Sequence, residues 1–436
     1  MSAESNPTLK RSLGLGAVVA LGINGVIGQG IFLLPGKAAG LMGPSAFVAL
    51  ILGGILCFLI ALCFAEVGSR FQGTGGAYLY VREAFGSFAG FEVGWMTCCV
   101  AVIAWATLAN GFTLVLAHFL PGVDSGWMQP CVAVGLVTVL TVVNLLGART
   151  GAAVVMTLTV AKLIPIAIFI LVGVFFFHGG HFVPFAPSGY GSLGETTLIL
   201  LYAYVGFETL VVPAGEMANP QRSVPLAMFL VMAIVTGVYL AVFAVAVGVY
   251  PDISGHPNPV AGASAHVMGG FGGTLVAAGI VLSVFGTNAG AALVNPRRFF
   301  AMAERGDLPR RLASVDPETG APRLSIFVTY VLVVALTLSG TFEQLLKLGV
   351  VARFVQYIPT CLALIVFRRR DAAAGTSPDS GYRVPFGIVI PVVTVLLCVV
   401  LLVSAGLRDA TALIYGGTAL LAGVPLYFLR RQDART

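Results

Sequence analysis

Two glycine- and proline-containing stretches of this sequence could bind a small ligand through their backbone. Gly28 precedes Pro35 by seven residues, and Gly206 precedes Pro213 by the same seven. The two pairs lie one constant offset apart, because 206 − 28 and 213 − 35 are both 178. Both stretches lie in apolar runs, where such residues also serve as close packing contacts between helices. Because glycine and proline weaken helices, the spacing predicts an interrupted helix at matching positions of two halves.

An interrupted membrane helix exposes backbone groups that can recognise an amino acid. Unwound N–H and C=O groups lose their helical partners, which is tolerated only inside protein or beside a watery cavity. The amides after Gly28 begin a second half-helix, whose positive dipole end favours a carboxylate. Carbonyls before the breaks, around Val26 and at residues 202–205, can accept hydrogen bonds from an ammonium. The sequence therefore predicts a site for a zwitterionic amino acid, with breaks at Gly28, Gly30 and Gly206.

Three ionisable residues lie inside apolar runs, where buried charges are costly and often functional. Lys162, in the fifth run, would link proton movement to conformation if it can lose its proton there. If it stays charged, its role is purely structural. Glu208 could accept a proton, bind a basic substrate, or hold the unwound backbone, and we favour the last interpretation.

The third ionisable residue, Arg353, bears on the charge of the substrate. It precedes Arg368 by 15 residues, which is about 22 Å along a helix. An arginine grips carboxylates with two parallel hydrogen bonds, so Arg353 could bind the side chain of an acidic substrate. Alternatively, it pairs with Glu343 or extends to the outer surface. We favour the alternative, because Glu208 nearby would repel an acidic substrate.

The composition places these residues in a membrane protein. The chain has 436 residues, 58% hydrophobic and 10% charged, with a mean hydropathy of +0.97. Soluble domains carry about 25% charged residues. Twelve apolar runs are long enough to span a bilayer. They lie at residues 15–38, 44–66, 88–118, 127–146, 153–177, 194–216, 225–249, 269–300, 323–340, 343–367, 387–406 and 410–429.

The net charge of +6 reports membrane orientation rather than a nucleic-acid site. Lysines and arginines fall in alternate loops between the runs, which is the positive-inside pattern. An even number of spans then puts both termini in the cytoplasm of a multi-pass cell-membrane protein. The seven cysteines all lie in predicted spans without the spacing of a metal site, so we expect neither metal nor cofactor.

Several further motifs carry a family resemblance over nearly the whole chain. In order they are GQGIFLLPG, AEVGSRFQGTGGAYLYVREAFG, NLLGAR, GFE, GEMANPQRSVP and NPRRFFAMAERGDLP. This sequence resembles members of the amino acid–polyamine–organocation (APC) transporter superfamily. The resemblance implies an all-α integral membrane protein with a LeuT-type fold, in which two inverted five-helix repeats precede two further helices. It also implies alternating access around the broken first and sixth helices.

The implied organisation is one transmembrane domain at residues 13–430, between cytoplasmic tails at 1–12 and 431–436. Within that domain the repeats cover about 13–178 and 193–368, and the last two helices about 384–430.

The resemblance also implies substrate contacts, position by position. Val26, Gln29 and Gly30 match the contacts of the first helix, and Gln29 replaces the serine that is common there. The sixth helix contributes Tyr202, Ala203 and Val205, with Tyr202 at the aromatic gate. Thr97 and Cys98 of the third helix match without a firm anchor. Lys162 stands where sodium-coupled relatives bind a cation, so its ammonium would tether the first and fifth helices without sodium. Arg353 matches an arginine of anion-accepting members, and Glu208 a substrate-linked acid.

Together these features predict a secondary active amino acid transporter and not an enzyme. Sodium-independent proton symport and amino acid exchange both remain open, and an acidic amino acid exchanger using Arg353 is the alternative. A substrate-gated channel would need rings of carbonyls or charges, and a membrane-embedded enzyme would need clustered acids or histidines. The expected partners are the amino acid, lipid and, for symport, protons, in a monomer or a homodimer. The sequence leaves the identity of the amino acid and the direction of transport open.

Overall fold

A computed structural model describes residues 11–250, 253–254, 256, 258–339, 352–375, 382–408 and 411–433. These ranges form α-helices joined by short 3₁₀ turns and loops, and the β-structure within them is one isolated bridge between Leu13 and Met217. The α-helices are α1 (Leu15–Val26), α2 (Gly30–Met42), α3 (Ala46–Ser69), α4 (Ala77–Phe85), α5 (Ser87–Leu116), α6 (Met128–Leu145), α7 (Ala148–Gly173), α8 (Leu193–Tyr204), α9 (Pro220–Val249), α10 (Pro259–Glu304), α11 (Arg323–Ser339), α12 (Phe354–Ala374), α13 (Val389–Arg408) and α14 (Thr411–Asp433).

Every predicted apolar run contains helix where the structure describes it, although residues 343–351 of the tenth run lie outside the described ranges. Two helical segments fall between the runs. One is α4, and the other is the first part of α10, which bends at Gly269 where φ is +65°. By length and composition, six helical stretches of the described chain can cross a membrane. The chain is therefore a multi-pass membrane protein, while the number twelve and the inverted repeat stay predictions.

The first predicted break separates α1 from α2. Helix α1 ends at Val26 and α2 begins at Gly30, so residues 27–29 are not helical. Pro35 lies in the second turn of α2, where it does not stop the helix. The break therefore comes from the glycine-rich segment rather than from the proline.

The second break is followed by turns rather than by the α-helix that the run at 194–216 predicts. Helix α8 ends at Tyr204, and 3₁₀ turns follow at Phe207–Thr209 and Ala214–Glu216. Gly206 has a φ of +123°, which favours glycine, and its neighbours' side chains bond its backbone. Such local side-chain bonds compete with helix formation. Pro213 lacks the N–H that a helix would need.

The two breaks touch each other through their glycines. A Cβ on Gly206 would overlap the carbonyl oxygen of Gly25. A Cβ on Gly30 would lie 3.0 Å from the Cα of Ala203. Both contacts are close enough that a larger residue would push the broken segments apart. The glycines thus position the first break against the second.

Buried ion pairs join the helix ends on the side that carries the basic loops. We expect from the sequence that Glu66 pairs with Arg70 and Glu216 with Arg222. The first pair is present at 3.4 Å. The second expectation is wrong, because Glu216 instead accepts a 2.7 Å hydrogen bond from Arg297 of α10. Arg297 is fully buried in that helix, whereas its basic neighbourhood suggested a loop.

We predict that Gly206→Ala destabilises the protein, because alanine is strained at this φ and its Cβ would collide with Gly25. Strained backbone of this kind costs about 1–3 kcal/mol, so the unfolding temperature in detergent falls by a few degrees. The matched control is Gly237→Ala, at an exposed position of α9 with open space around it. Alanine there favours the helix by about 1 kcal/mol. An equal response of the two variants would contradict the proposed contact between the breaks.

Candidate functional site

A cavity of about 100 Å³ lies beside the two helix breaks, within the described chain. That volume accommodates several water molecules or a small ligand. Its walls come from α1, α2, α5, α8 and α10, from the segment after α8, and from Arg353 just before α12. The lining residues that the sequence pointed to are Val26, Gly28, Gln29, Gly30, Tyr202, Ala203, Val205, Gly206, Glu208 and Arg353.

The third-helix residues differ from those predicted. The α5 residues that line the cavity are Val100, Ala101, Ala104, Thr107 and Leu108. Thr97 instead bonds the carbonyl of Gly94 at 2.8 Å, and the Cys98 sulfur lies 3.7 Å from that of Met302. Thr97 and Cys98 therefore lie about one turn before the α5 residues that line the cavity, and their contact with a substrate stays a prediction. The continuous helix α5 has no break that would fix an alignment.

The amide end of the site is the start of α2. The first N–H groups of any α-helix lack helical acceptors. Here Gln29 occupies the N-cap position, and within the described chain its side chain makes no capping hydrogen bond. Gly28, Gln29 and Gly30 all line the cavity, so the start of α2 borders the space in which a ligand could bind. The partial positive charge of the helix end makes this pole of the cavity suitable for a carboxylate.

The carbonyl end is organised by Tyr239 of α9, which the sequence analysis did not identify. Its hydroxyl lies 2.9 Å from the carbonyl oxygen of Val26 and 2.8 Å from that of Ala203. The tyrosine thus joins the ends of both broken helices. The Val26 carbonyl also accepts a 2.9 Å hydrogen bond from the Gly28 N–H. We therefore expect the Ala203 carbonyl, which keeps a second lone pair, to face an ammonium. The sequence signal that could have identified Tyr239 is its position in an apolar run, because a buried tyrosine hydroxyl needs a hydrogen-bond partner.

Lys162 of α7 supports the first break from outside the cavity lining. Its side chain is fully buried, and its Nζ lies 2.5 Å from the carbonyl oxygen of Ile27 and 3.1 Å from that of Asn24. The hydroxyl of Thr287 in α10 lies 3.5 Å from the same nitrogen. The lysine therefore links the fifth run to the first, in the place where the resemblance expects a tether.

Glu208 connects the second break to α12. Its Oε1 accepts a 2.5 Å hydrogen bond from Arg353, and its Oε2 accepts bonds from the Tyr357 hydroxyl at 2.9 Å and the Gly206 N–H at 3.0 Å. The carboxylate thus holds the unwound backbone, as we favour from the sequence. The ion pair also shows that Arg353 does not extend to the outer surface. Glu343, its alternative partner, lies outside the described residues.

One further charged residue, Arg298 of α10, also lines the cavity. Only 7% of its surface is exposed. The positive-inside pattern groups it and Arg297 with the basic segment that follows, although the predicted run at 269–300 includes both residues. The structure places it within the last two turns of α10.

Comparisons with known proteins agree with this architecture. Residues 13–424 match the family model described as Amino acid permease. The chain is 31% identical to the serine/threonine exchanger SteT of Bacillus subtilis over 98% of both chains. It is 27% identical to the methylthioribose transporter of Bacillus subtilis, over 91% of this chain and 89% of that protein. The branched-chain amino acid permease BcaP of Bacillus subtilis is 24% identical, over 98% and 94%.

We predict that Tyr239→Phe weakens the contact between the two breaks without changing the fold. Loss of the hydroxyl removes the one proton that the carbonyls of Val26 and Ala203 share, and an unsatisfied buried acceptor costs about 1–3 kcal/mol. The unfolding temperature in detergent should therefore fall. Tyr190→Phe, which alters an exposed loop tyrosine, is the control and should leave the protein unchanged. A variant of Tyr239 as stable as the wild type would mean that the hydroxyl does not join the helices.

Proposed function

This chain belongs to the amino acid permease family, and from that premise we propose that it exchanges amino acids across the cell membrane without sodium. The observation that carries the proposal is the pair of adjacent helix breaks bordering one cavity. The proposal includes twelve spans in a LeuT-type inverted repeat, with both termini in the cytoplasm. Alternating access then exposes the same cavity to each side of the membrane in turn.

The cavity suits the two groups that all amino acids share. The α-carboxylate binds at the start of α2, where the amides near Gln29 and Gly30 lack helical acceptors. The ammonium binds at the other side of the breaks, where the carbonyl of Ala203 can accept a hydrogen bond besides that from Tyr239. Tyr202 and Val205 complete the proposed contacts with the substrate. This arrangement accounts for two breaks placed side by side.

Lys162 supports independence from sodium. The carbonyl oxygens of Asn24 and Ile27, with the hydroxyl of Thr287, surround one point with oxygen atoms 2.5–3.5 Å from the lysine Nζ. A sodium ion would seek oxygen ligands of this kind. The ammonium already supplies a positive charge there, so the first break needs no metal ion to hold it.

The same contacts favour exchange over proton symport. The three N–H groups of the Lys162 ammonium have three oxygen atoms around them. A neutral amine has two N–H groups and a lone pair, and a carbonyl cannot donate to that lone pair. The Thr287 hydroxyl could, but it lies within hydrogen-bond distance of the carbonyls of Asn24 and Ser283. We therefore propose that Lys162 is a structural tether rather than a proton carrier. Glu208 is likewise engaged by three donors, so neither residue is placed as a proton carrier.

Alternating access also requires an end of the bundle that can separate. On the side of the basic loops, Arg368 of α12 pairs with Glu66 of α3, and Arg82 of α4 pairs with Asp307. These pairs close the cytoplasmic end under the proposed orientation. They are the contacts that must break when the cavity opens inward.

We predict that the purified chain in proteoliposomes takes up a labelled amino acid only when the vesicles contain unlabelled amino acid. Uptake should be equal in sodium and choline buffers and indifferent to an imposed pH gradient. Serine, threonine, leucine, aspartate and lysine form the initial panel. Accumulation in empty vesicles driven by an inward proton gradient would instead support symport. If no member of an extended panel of all common amino acids is taken up, the amino acid site itself is refuted.

A variant of Lys162 separates the structural role of this lysine from a role in proton coupling. Lys162→Met leaves the carbonyls of Asn24 and Ile27 without their ammonium partner, and we expect slower exchange and a lower unfolding temperature. The remaining exchange should still be indifferent to pH gradient. Lys37→Met, at an exposed position, is the control for loss of a lysine. If wild-type transport is proton-driven and Lys162→Met loses only that coupling, the lysine is a proton carrier.

A further inference from the structure

Arg298 is a buried cation in the cavity, and the described part of the chain does not fully supply its hydrogen-bond partners. Its side chain lines the cavity and is more than nine-tenths buried, with 7% exposed. In the described part of the chain, its Nε has no hydrogen-bond acceptor. Buried charges are normally paired and hydrogen-bonded, because leaving one unpaired is costly. A guanidinium in this position therefore calls for an anionic ligand.

The other charges of the cavity do not neutralise Arg298. Within the described chain, the charged lining residues are Glu208, Arg298 and Arg353, so two arginines face one glutamate and these residues carry a net charge of +1. Glu208 already accepts hydrogen bonds from Arg353, the Tyr357 hydroxyl and the Gly206 amide. Tyr202, the remaining titratable side chain of the lining, carries no charge at neutral pH. A substrate of net charge −1 would balance the site.

The position of Arg298 separates it from the amide pole. Thr287, which is on the same helix, lies beside Gly28, since a Cβ on Gly28 would be 3.6 Å from its hydroxyl. Arg298 follows Thr287 by 298 − 287 = 11 residues, or about 16 Å along the helix axis. Between them Gly290, Ala291, Val294 and Asn295 line the cavity. The cavity therefore offers two separate anion-binding groups, the start of α2 and Arg298.

We propose that Arg298 binds the side-chain carboxylate of the substrate, and that this chain carries acidic amino acids such as aspartate and glutamate. This inference rests on the proposed function, which assigns the α-carboxylate to the start of α2. The planar guanidinium can then hold the second carboxylate through two parallel hydrogen bonds. Arg353 is not the anion ligand, because Glu208 holds it. Glu208 also repels an acidic substrate less than the sequence alone suggests, because Arg353 forms an ion pair with its carboxylate.

The test compares wild type with Arg298→Gln in the same proteoliposome exchange assay. Competitors are aspartate, glutamate, their neutral amides asparagine and glutamine, and serine. We expect the wild type to favour an acidic amino acid over its amide. Arg298→Gln should lower the affinity for the acidic amino acid by about 30-fold or more, as expected for loss of a buried charge-assisted pair. The variant should keep or improve its affinity for the amide. Arg298→Lys should retain part of the preference.

Binding without transport provides an independent measurement. Aspartate or glutamate should raise the unfolding temperature of the detergent-purified wild type more than serine does, and this difference should vanish in Arg298→Gln. Arg149→Gln, at an exposed arginine of α7, is the control and should behave as wild type. A variant of Arg298 that unfolds is replaced in both measurements by Arg298→Lys, whose smaller preference still tests the assignment.

Three results would overturn the assignment. One is a wild type that exchanges neutral amino acids while acidic ones fail to compete. Another is an Arg298→Gln variant that loses affinity for all amino acids equally, since Arg298 would then bind the α-carboxylate that they share. A third is an unchanged preference for acids in both variants. In each case amino acid exchange itself survives, so failure of this inference is distinct from failure of the proposed function.

Discussion

The backbone groups released at the two helix breaks must find partners inside the protein, because the surrounding lipid offers none. Much of the interior is arranged around this requirement. The carbonyls at the first break accept bonds from Lys162 of α7, Tyr239 of α9 and Ser283 of α10. Those side chains come from three different helices. The unwound backbone of the breaks therefore accepts side chains from α7, α9 and α10, and these hydrogen bonds hold the three helices around it.

The second break is satisfied differently, and the difference affects the charge of the cavity. Its Gly206 amide is bonded by Glu208, two residues later in the chain. This carboxylate is buried and needs a cation, which Arg353 provides. Support of the backbone at the second break thus brings Arg353 to the cavity wall, and both oxygens of the Glu208 carboxylate accept hydrogen bonds from the protein. The first break is held by a cation that lies outside the lining, so the two breaks leave the lining without a spare anion.

The sequence predicts the breaks well and the partners of the breaks poorly, for a physical reason. Glycines and prolines act locally, so the spacing from Gly28 to Pro35 and from Gly206 to Pro213 reveals the two stretches directly. Lys162 is also visible, because a charge in an apolar run is conspicuous. Tyr239 contacts residues 36 and 213 positions away in the chain, and no local pattern encodes such a contact. The register of α5 is similarly hard to predict, since a continuous helix offers no landmark.

The arginine pair in α10 shows how far residue type alone can mislead. Arg297 and Arg298 are neighbours, and loop charge counts treat them alike. Successive residues of a helix point about 100° apart, so the two side chains enter different surroundings. Arg297 meets Glu216, Asn144 and a carbonyl of its own helix, and its charge is satisfied by the protein. Arg298 faces the cavity, where Glu208 is already engaged. The first arginine therefore stabilises the helix ends, whereas the Nε of the second has no acceptor within the described chain and, in our proposal, binds the carboxylate of the substrate.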